Sequence, residues 1–459
     1  MSPPAVLDAG LREALVAVVG HAHVLTDAAV TAGYATDWTR RFTGTTPAVV
    51  RPADTAQVAA VLAACHAAGQ TVQVQGGNTG LVGGGVPAAG ELVLSTTRLT
   101  ALGAVDTLAS QVSAGAGVTL AAAQAHARAA GLDVAVDLAA RDSATLGGLV
   151  ATNAGGERVL RHGMARAQVA GLTAVLADGA VLDHMAGLPK DNTGYDLAGL
   201  LAGSEGTLAV LTAVRLRLVA HLTARAVALV GLRDVADATA LVAALRARLD
   251  GLDAAELLLA DGLALVRAHT GAPAPLGATY PVLLLVEVAG RADPTDDLLA
   301  ALGDADTVLD AAVASDARGR AGLWHYREAH TEAVNAAGVP VKLDVAVPVP
   351  VLPALVAALP GVVAAAAPGA RLVVFGHVAE GNLHVNVLGA GERDEAVTAA
   401  VLGAVAGLGG SISAEHGIGR AKTGYLHLSR SPAEVAAMRA VKRALDPTGL
   451  LNPGVLLAE

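Results

Sequence analysis

At 459 residues the chain is too long for one ordinary core, so two or three domains are expected. Apolar residues reach 53% while aromatics are only 2%, which leaves Ala, Val and Leu to fill the interior. The net charge of −10 argues against a nucleic-acid partner, and the single cysteine, Cys65, excludes an internal disulfide and a four-cysteine iron–sulfur cluster carried by this chain alone. A reducing cytoplasm fits that cysteine usage, and the start, MSPPAVLDAG, has no basic patch leading into an apolar run.

Residues 49–99 alternate strand, helix and strand. In RPADT, Asp54 or Thr55 is placed to cap a helix that ends near Gly69. TVQVQ (71–75) alternates like a strand, a glycine-rich loop covers 76–85, and 91–95 is strand-like again. Gly115 and Gly117 precede a helix over about residues 120–130. The stretch 143–156 (SATLGGLVATNAGG) is a second loop of small residues, and 169–182 gives two strands joined at Asp178-Gly179, a hairpin turn signal. The loop 203–207 and the run to Val219 close this region. From about His221 glycine loops become sparse, which places a domain boundary there. An uncharged run at 345–370 is long enough to cross a bilayer. Pro348, Pro350, Pro353, Pro360 and Pro368 lie inside it, and a proline in a helix interior costs about 3 kcal/mol. A buried strand, a short helix and a loop are therefore expected, with no integral membrane segment.

The loop Gly76-Gly77-Asn78-Thr79-Gly80-Leu81-Val82-Gly83-Gly84-Gly85 leads into Val86-Pro87 and a strand. A Rossmann dinucleotide turn would open a helix at this point, so a nicotinamide-dependent dehydrogenase is disfavoured. Converging backbone N–H groups offer another way to hold phosphates, and missing side chains permit close approach. The plain alternative is a flexible loop. The second loop adds Ser143, Thr145, Thr152 and Asn153 among Gly147, Gly148, Gly155 and Gly156. Gly203-Ser204-Glu205-Gly206-Thr207 has the same character. A flavin or nucleotide needs such backbone access with a few orienting hydroxyls and amides.

Towards the C-terminus, His377 and His384 would face opposite ways on one unbroken strand. A turn through Glu380-Gly381-Asn382 brings both imidazoles together, and Asn386 then shares a face with His384. Glu415 and His416 follow among glycines. Two histidines with a carboxylate match a divalent site of the zinc type, against the plainer reading of ordinary core or surface histidines. Residues 324–337 predict one helix, which puts Arg327 and Thr331 on one face. Lys342 lies in a strand-like apolar run, and an Arg with a Lys suits an anionic carboxylate substrate.

These motifs resemble the vanillyl-alcohol-oxidase type flavoproteins, in the branch of D-2-hydroxyglutarate, D-lactate and glycolate dehydrogenases. The resemblance runs from Tyr34 and Asp37-Trp38 through RPADT, QGGNTGLVGG, GGLVATNAGG, KDNTGYDL, GSEGTL, GHVAEGNLH and SAEHGIG to DPTGLLNPG. KDNTGYDL and the spacing of Arg327, Thr331 and Lys342 are most similar to the D-2-hydroxyglutarate dehydrogenases. The resemblance implies an α+β fold. After an N-terminal segment 1–45, a two-subdomain FAD-binding PCMH-type domain spans 46–218. An α+β cap domain with an antiparallel sheet follows at 219–445, and residues 446–459 return to the FAD domain. It further implies FAD held by the 76–85 and 143–156 loops, by Glu205 and Gly206 and by Asn452. No histidine stands in 76–85, so the FAD is expected to be non-covalent.

By the same resemblance His377, His384 and Glu415 bind Zn2+ or a similar ion. Asn386 and His416 contact the substrate near its hydroxyl, with His416 the candidate base. Arg327, Thr331 and Lys342 hold its carboxylates. The implied reaction is hydride transfer from a D-2-hydroxy acid to the flavin. D-2-Hydroxyglutarate is the first choice, with D-lactate, glycolate or a flavin-subunit role in a larger oxidase as alternatives. Electrons would pass to a separate electron-transferring flavoprotein, quinone or cytochrome, and a homodimer is left open. Ala379-Glu380 departs from the Gly-Asp frequent in relatives, and 139–145 is poorer in cysteine and glycine than usual.

Overall fold

Asp54 starts the first long helix as its sequence position requires. Its carboxylate accepts from the Gln57 N–H at 2.8 Å, the helix runs Thr55–Ala68, and Gly69 ends it at φ 63°. The computed structural model describes residues 7–458. Strands Val49–Val50, Leu92–Ser95 and Val72–Gln75 pair in parallel, and Val24–Leu25 adds an antiparallel edge. Val58, Val61, Leu62 and Cys65 of the helix bury against Val72, Leu92 and Leu94 in a core with no aromatic residue among the described ones. A second sheet contains Gln111–Gly115, Val210–Ala220, Val169–Val175 and Val181–His184, and Leu132–Val134 pairs with its longest strand. The hairpin at Asp178-Gly179 is present, with Val175 opposite Val181.

The chain divides into two compact units. The first comprises 7–156, 162–221 and 415–458, and the second comprises 157–161 and 222–414. The second is built on a seven-stranded antiparallel sheet. Its order is Asp310–Ala314, Ala224–Leu232, Val282–Gly290, Leu252–Leu259, Arg371–His377, Asn382–Leu388 and Val341–Ala346.

Four expectations need correction. Residues 143–156 are not only loop: Thr145 caps a helix, Leu146–Thr152, which Asn153 ends at φ 49°. The 324–337 helix is two helices, Ala317–Glu328 and His330–Ala337, which break at Ala329. The short helix of the uncharged run is a 15-residue helix, Leu352–Ala366, with Pro360 inside it. Pro360 is exposed, so water can satisfy the carbonyl its missing N–H would have bonded. With the 3-10 turn Val349–Val351 before it, the run Val349–Ala366 is 18 residues, long and apolar enough by length and composition alone to cross a bilayer, a test that core helices also pass. Leu352, Leu355, Leu359 and Val363 form its buried stripe.

The fourth correction concerns domain limits. The return to the first unit begins at Glu415 rather than at 446. Arg420 ties this segment in by donating to Val86 O, Gln73 Oε1 and Glu91 Oε1. Lys442 does so further on, donating to Thr207 O at 2.7 Å. Residues 157–161 leave the 46–218 span for the second unit, where Arg158 and Arg161 pair with the buried Asp253.

Candidate active site

In the first unit the glycine loop is held from behind by its own strand. Gln73 and Gln75 are buried, 0% and 3% exposed, and their amides donate to Gly84 O and Gly85 O at 2.8 Å. Gln75 also donates to Tyr34 O, and Asn78, at φ 52°, donates to Thr36 O at 2.9 Å. Among the described residues, no backbone N–H of 76–85 finds a protein acceptor. Main-chain donors are almost always satisfied, so this run is open to water or to an anionic ligand. The second loop differs. The N–H groups of Ser143, Leu146, Gly147 and Gly148 bond to Ala140 O, Val118 O, Ala116 O and Thr145 Oγ1. Thr152 Oγ1 donates to Gly148 O, Asn153 Oδ1 accepts from Arg166 N, and Gly155 and Gly156 are buried.

The two loops meet at Gly76 and Gly77. A Cβ on Gly77 would lie 1.9 Å from Ser143 O, and one on Gly76 would lie 2.5 Å from Thr145 Oγ1. Only glycine permits that approach. Thr79, Gly80, Leu81, Gly83 and Gly84 continue the same loop, with Gly80 exposed. Glu205 and Gly206 are brought to Asn452. The Asn452 amide donates to Glu205 O at 2.7 Å and its Oδ1 accepts from Val74 N at 2.7 Å. The Glu205 carboxylate accepts from Ile418 N and Gly419 N at 2.8 and 2.7 Å. Burial raises its pKa, and those two N–H groups oppose the rise. Both side chains thus hold the protein together and fix the turn that follows His416. His416 Nε2 lies 3.8 Å from Glu415 Oε1, and both residues are half-buried.

In the second unit, register gathers the polar residues. Glu256 lies opposite His377, Phe375 opposite His384, Asp344 opposite His384, and Lys342 opposite Asn386. All of these share one face of four adjacent strands. The turn after His377 is a 3-10 turn, Val378–Glu380, closed by Gly381 at φ 70°. It brings the His377 and His384 ring centroids to 5.3 Å. His377 Nδ1 donates to Glu256 Oε1 at 2.6 Å, and His384 Nδ1 lies 3.6 Å from Asp344 Oδ1. Asp344 is itself held by Asn382 Nδ2 at 2.8 Å and Ala414 N at 3.1 Å.

Arg327 enters from its helix. Nε donates to Glu256 Oε2 at 2.6 Å, and the guanidinium carbon sits 4.7 Å over the Phe375 ring centroid. Thr331 lies beyond the break at Ala329, on the helix His330–Ala337, and is exposed. Asn386 is buried, and its amide donates to His384 O at 3.2 Å.

Electrostatics follow from this packing. Burial works hardest on Glu256, against its ionisation, but the charges and hydrogen bonds of His377 and Arg327 outweigh it and hold the pKa down to about 2. Burial pushes Glu380 up to about 7, with the Glu256 charge adding to the rise and His377 opposing it. His330 is fully buried against Phe375, and among the described residues neither ring nitrogen makes a well-formed hydrogen bond. Burial, then the Arg327 charge, lowers its pKa to about 3.

Sequence reasoning missed Glu256, Asp344, Phe375, Gln73 and Gln75. The signal for the glutamines was two amides, two residues apart, on a strand with no wet face. His377 has a buried carboxylate hydrogen-bonded at Nδ1, the arrangement that orients a metal-binding histidine with Nε2 as donor, and Asp344 lies close enough to His384 for the two to share an ion. The donor chemistry therefore fits a divalent ion, and the 76–85 loop fits a cofactor phosphate.

Comparison with known proteins agrees with this division of labour. Residues 46–184 match the FAD binding domain family and 222–456 match the family "FAD linked oxidases, C-terminal domain". The chain is 38% identical over 436 residues to the mitochondrial D-2-hydroxyglutarate dehydrogenase of Bos taurus, covering 92% of this chain and 78% of the relative. It is also 38% identical to D-2-hydroxyglutarate dehydrogenase of Xanthomonas citri pv. viticola, covering 92% of each. The fold matches p-cresol methylhydroxylase with a TM-score of 0.77 at 17% identity, over 98% of both chains. The α+β architecture, a PCMH-type FAD domain with a cap built on an antiparallel sheet, is thereby shown. The chain belongs to the FAD-linked oxidase family and is an FAD-dependent oxidoreductase that dehydrogenates D-2-hydroxy acids.

Proposed function

We propose that the substrate is D-2-hydroxyglutarate and the product its 2-oxo acid. The observation that carries this is the sheet face of the second unit, where Arg327 and Lys342 flank the His377, His384 and Asn386 row. Two cations on either side of an imidazole pair suit a substrate with a carboxylate at each end. The relatives named as D-2-hydroxyglutarate dehydrogenases support the same choice.

FAD, when bound, supplies the two-electron acceptor. A divalent ion, when held by His377 and His384, would supply Lewis-acid polarisation of the C2 oxygen. The chain's own residues do the rest. His416 takes the hydroxyl proton, an imidazole nitrogen being able to accept and later release it. Arg327 and Lys342 grip the two ends and fix which hydrogen on the substrate points away from them, an orientation effect worth several kcal/mol. Asn386 hydrogen-bonds near C2. Electrons then leave to a separate carrier, an electron-transferring flavoprotein, quinone or cytochrome.

One observation favours a second reading. Glu256 offsets the Arg327 charge, which suits a monocarboxylate such as D-lactate held by Lys342 alone. A panel of 2-hydroxy acids, both enantiomers, with a dye acceptor and flavin bleaching as readout, separates the two. D-2-Hydroxyglutarate is expected to bleach the flavin fastest, and Arg327→Ala to raise its KM about ten- to a hundredfold. Faster bleaching by D-lactate, with a KM indifferent to Arg327→Ala, overturns the dicarboxylate assignment.

A further inference from the structure

We propose that Glu256 is a positioning residue that locks Arg327 to the imidazole of His377, so that one buried carboxylate sets the substrate anchor and the metal ligand together; this rests on the roles proposed above for those two residues. The carboxylate is 0% exposed. Its Oε1 accepts from His377 Nδ1 and its Oε2 from Arg327 Nε, both at 2.6 Å. Among the described residues its side chain has no other hydrogen bond. The two contacts come from different elements. His377 is its cross-strand partner, whereas Arg327 reaches it from the Ala317–Glu328 helix.

Phe375 completes the lock. The Arg327 guanidinium lies over its ring at 4.7 Å and the His384 ring packs against it at 5.2 Å. The guanidinium therefore cannot slide without leaving either Glu256 or Phe375. Its two Nη groups hydrogen-bond to nothing among the described residues, while the side chain stays 11% exposed. They are the donors left for a ligand. On the other arm, the bond to Nδ1–H fixes the tautomer that offers Nε2 to an ion. A carboxylate can accept on both oxygens at once. A carboxamide cannot, because one of its two heads is itself an N–H donor.

The test uses FAD-loaded protein stripped of metal, with Zn2+ affinity read by competition against a chromophoric chelator. Glu256→Gln is expected to weaken Zn2+ binding about ten- to a hundredfold. Arg327→Ala, which removes no ligand, is expected to shift Zn2+ affinity about threefold or more in the wild-type background and not at all in the Glu256→Gln background. An unchanged affinity in Glu256→Gln, or the same Arg327→Ala shift in both backgrounds, overturns the coupling. A merely structural ion pair gives that second pattern. Should wild type itself take up no Zn2+, the metal assignment falls and the coupling with it, and that outcome is visible in wild type alone. Where Glu256→Gln does not fold, Glu256→Asp carries the test. It keeps the charge but is one methylene too short for both partners, so it too must weaken Zn2+ binding, and wild-type affinity in that variant overturns the proposal.

Discussion

Ten consecutive N–H groups of the 76–85 loop find no acceptor among the described residues, whereas on the sheet face of the second unit charged side chains have taken one another as partners. The first region offers a ligand the main chain, which every residue carries. It is sensitive to added bulk and indifferent to most side-chain chemistry. The second offers ionised heads whose geometry is fixed by other ionised heads. It tolerates bulk at its rim but not the loss of a charge within it.

Breaking the first region gives the largest expected effect. Gly77→Ala drives a methyl group into Ser143 O, so the protein should purify without bound flavin and with a lowered Tm. A yellow variant with wild-type flavin content would mean the two loops do not need their close approach. The second region breaks differently. His384→Ala should lower metal content and reduce turnover by about a hundredfold or more while FAD stays bound. Full activity in that variant, in the presence of a chelator, would remove the ion from the mechanism.

The smallest effect concerns acid stability. His330 stays neutral in the fold down to about pH 3, although it would titrate near 6.5 when unfolded. Between those values only the unfolded chain takes up the proton, so stability is fully present above 6.5 and falls as pH drops through the window, by about 1.4 kcal/mol per unit. Glu256 contributes separately and lower, its stabilisation being lost from about 4.5 down to about 2. His330→Leu should therefore lose less Tm than wild type between roughly pH 7 and pH 5. Parallel curves for the two proteins would show that the buried imidazole is not the sensor.

The legible parts of the site were those where one residue type is obligatory. Gly76 and Gly77 stand where two backbones touch, and His377 and His384 flank a glycine turn, so each motif announced itself. Glu256 did not, because it sits in the largely apolar strand Leu252–Leu259, 121 residues from the histidine it serves. Asp344 was hidden in the same way. The break at Ala329 was not legible, because helical spacing runs on through it from Arg327 to Thr331. Pro360 misled in the other direction, since a proline on the wet side of a helix need not end it.

The C-terminal residues of the first unit have a bearing on how the protein is made. Asn452 bonds to Val74, 378 residues upstream, and Leu451 pairs with Val72 in the same place. During synthesis the earlier strand leaves the ribosome long before those partners exist, and the whole of 222–414 must emerge in between. The nucleotide-holding half is thus begun first and finished last, so newly made chains spend their elongation with an incomplete sheet edge that chaperones would have to shield.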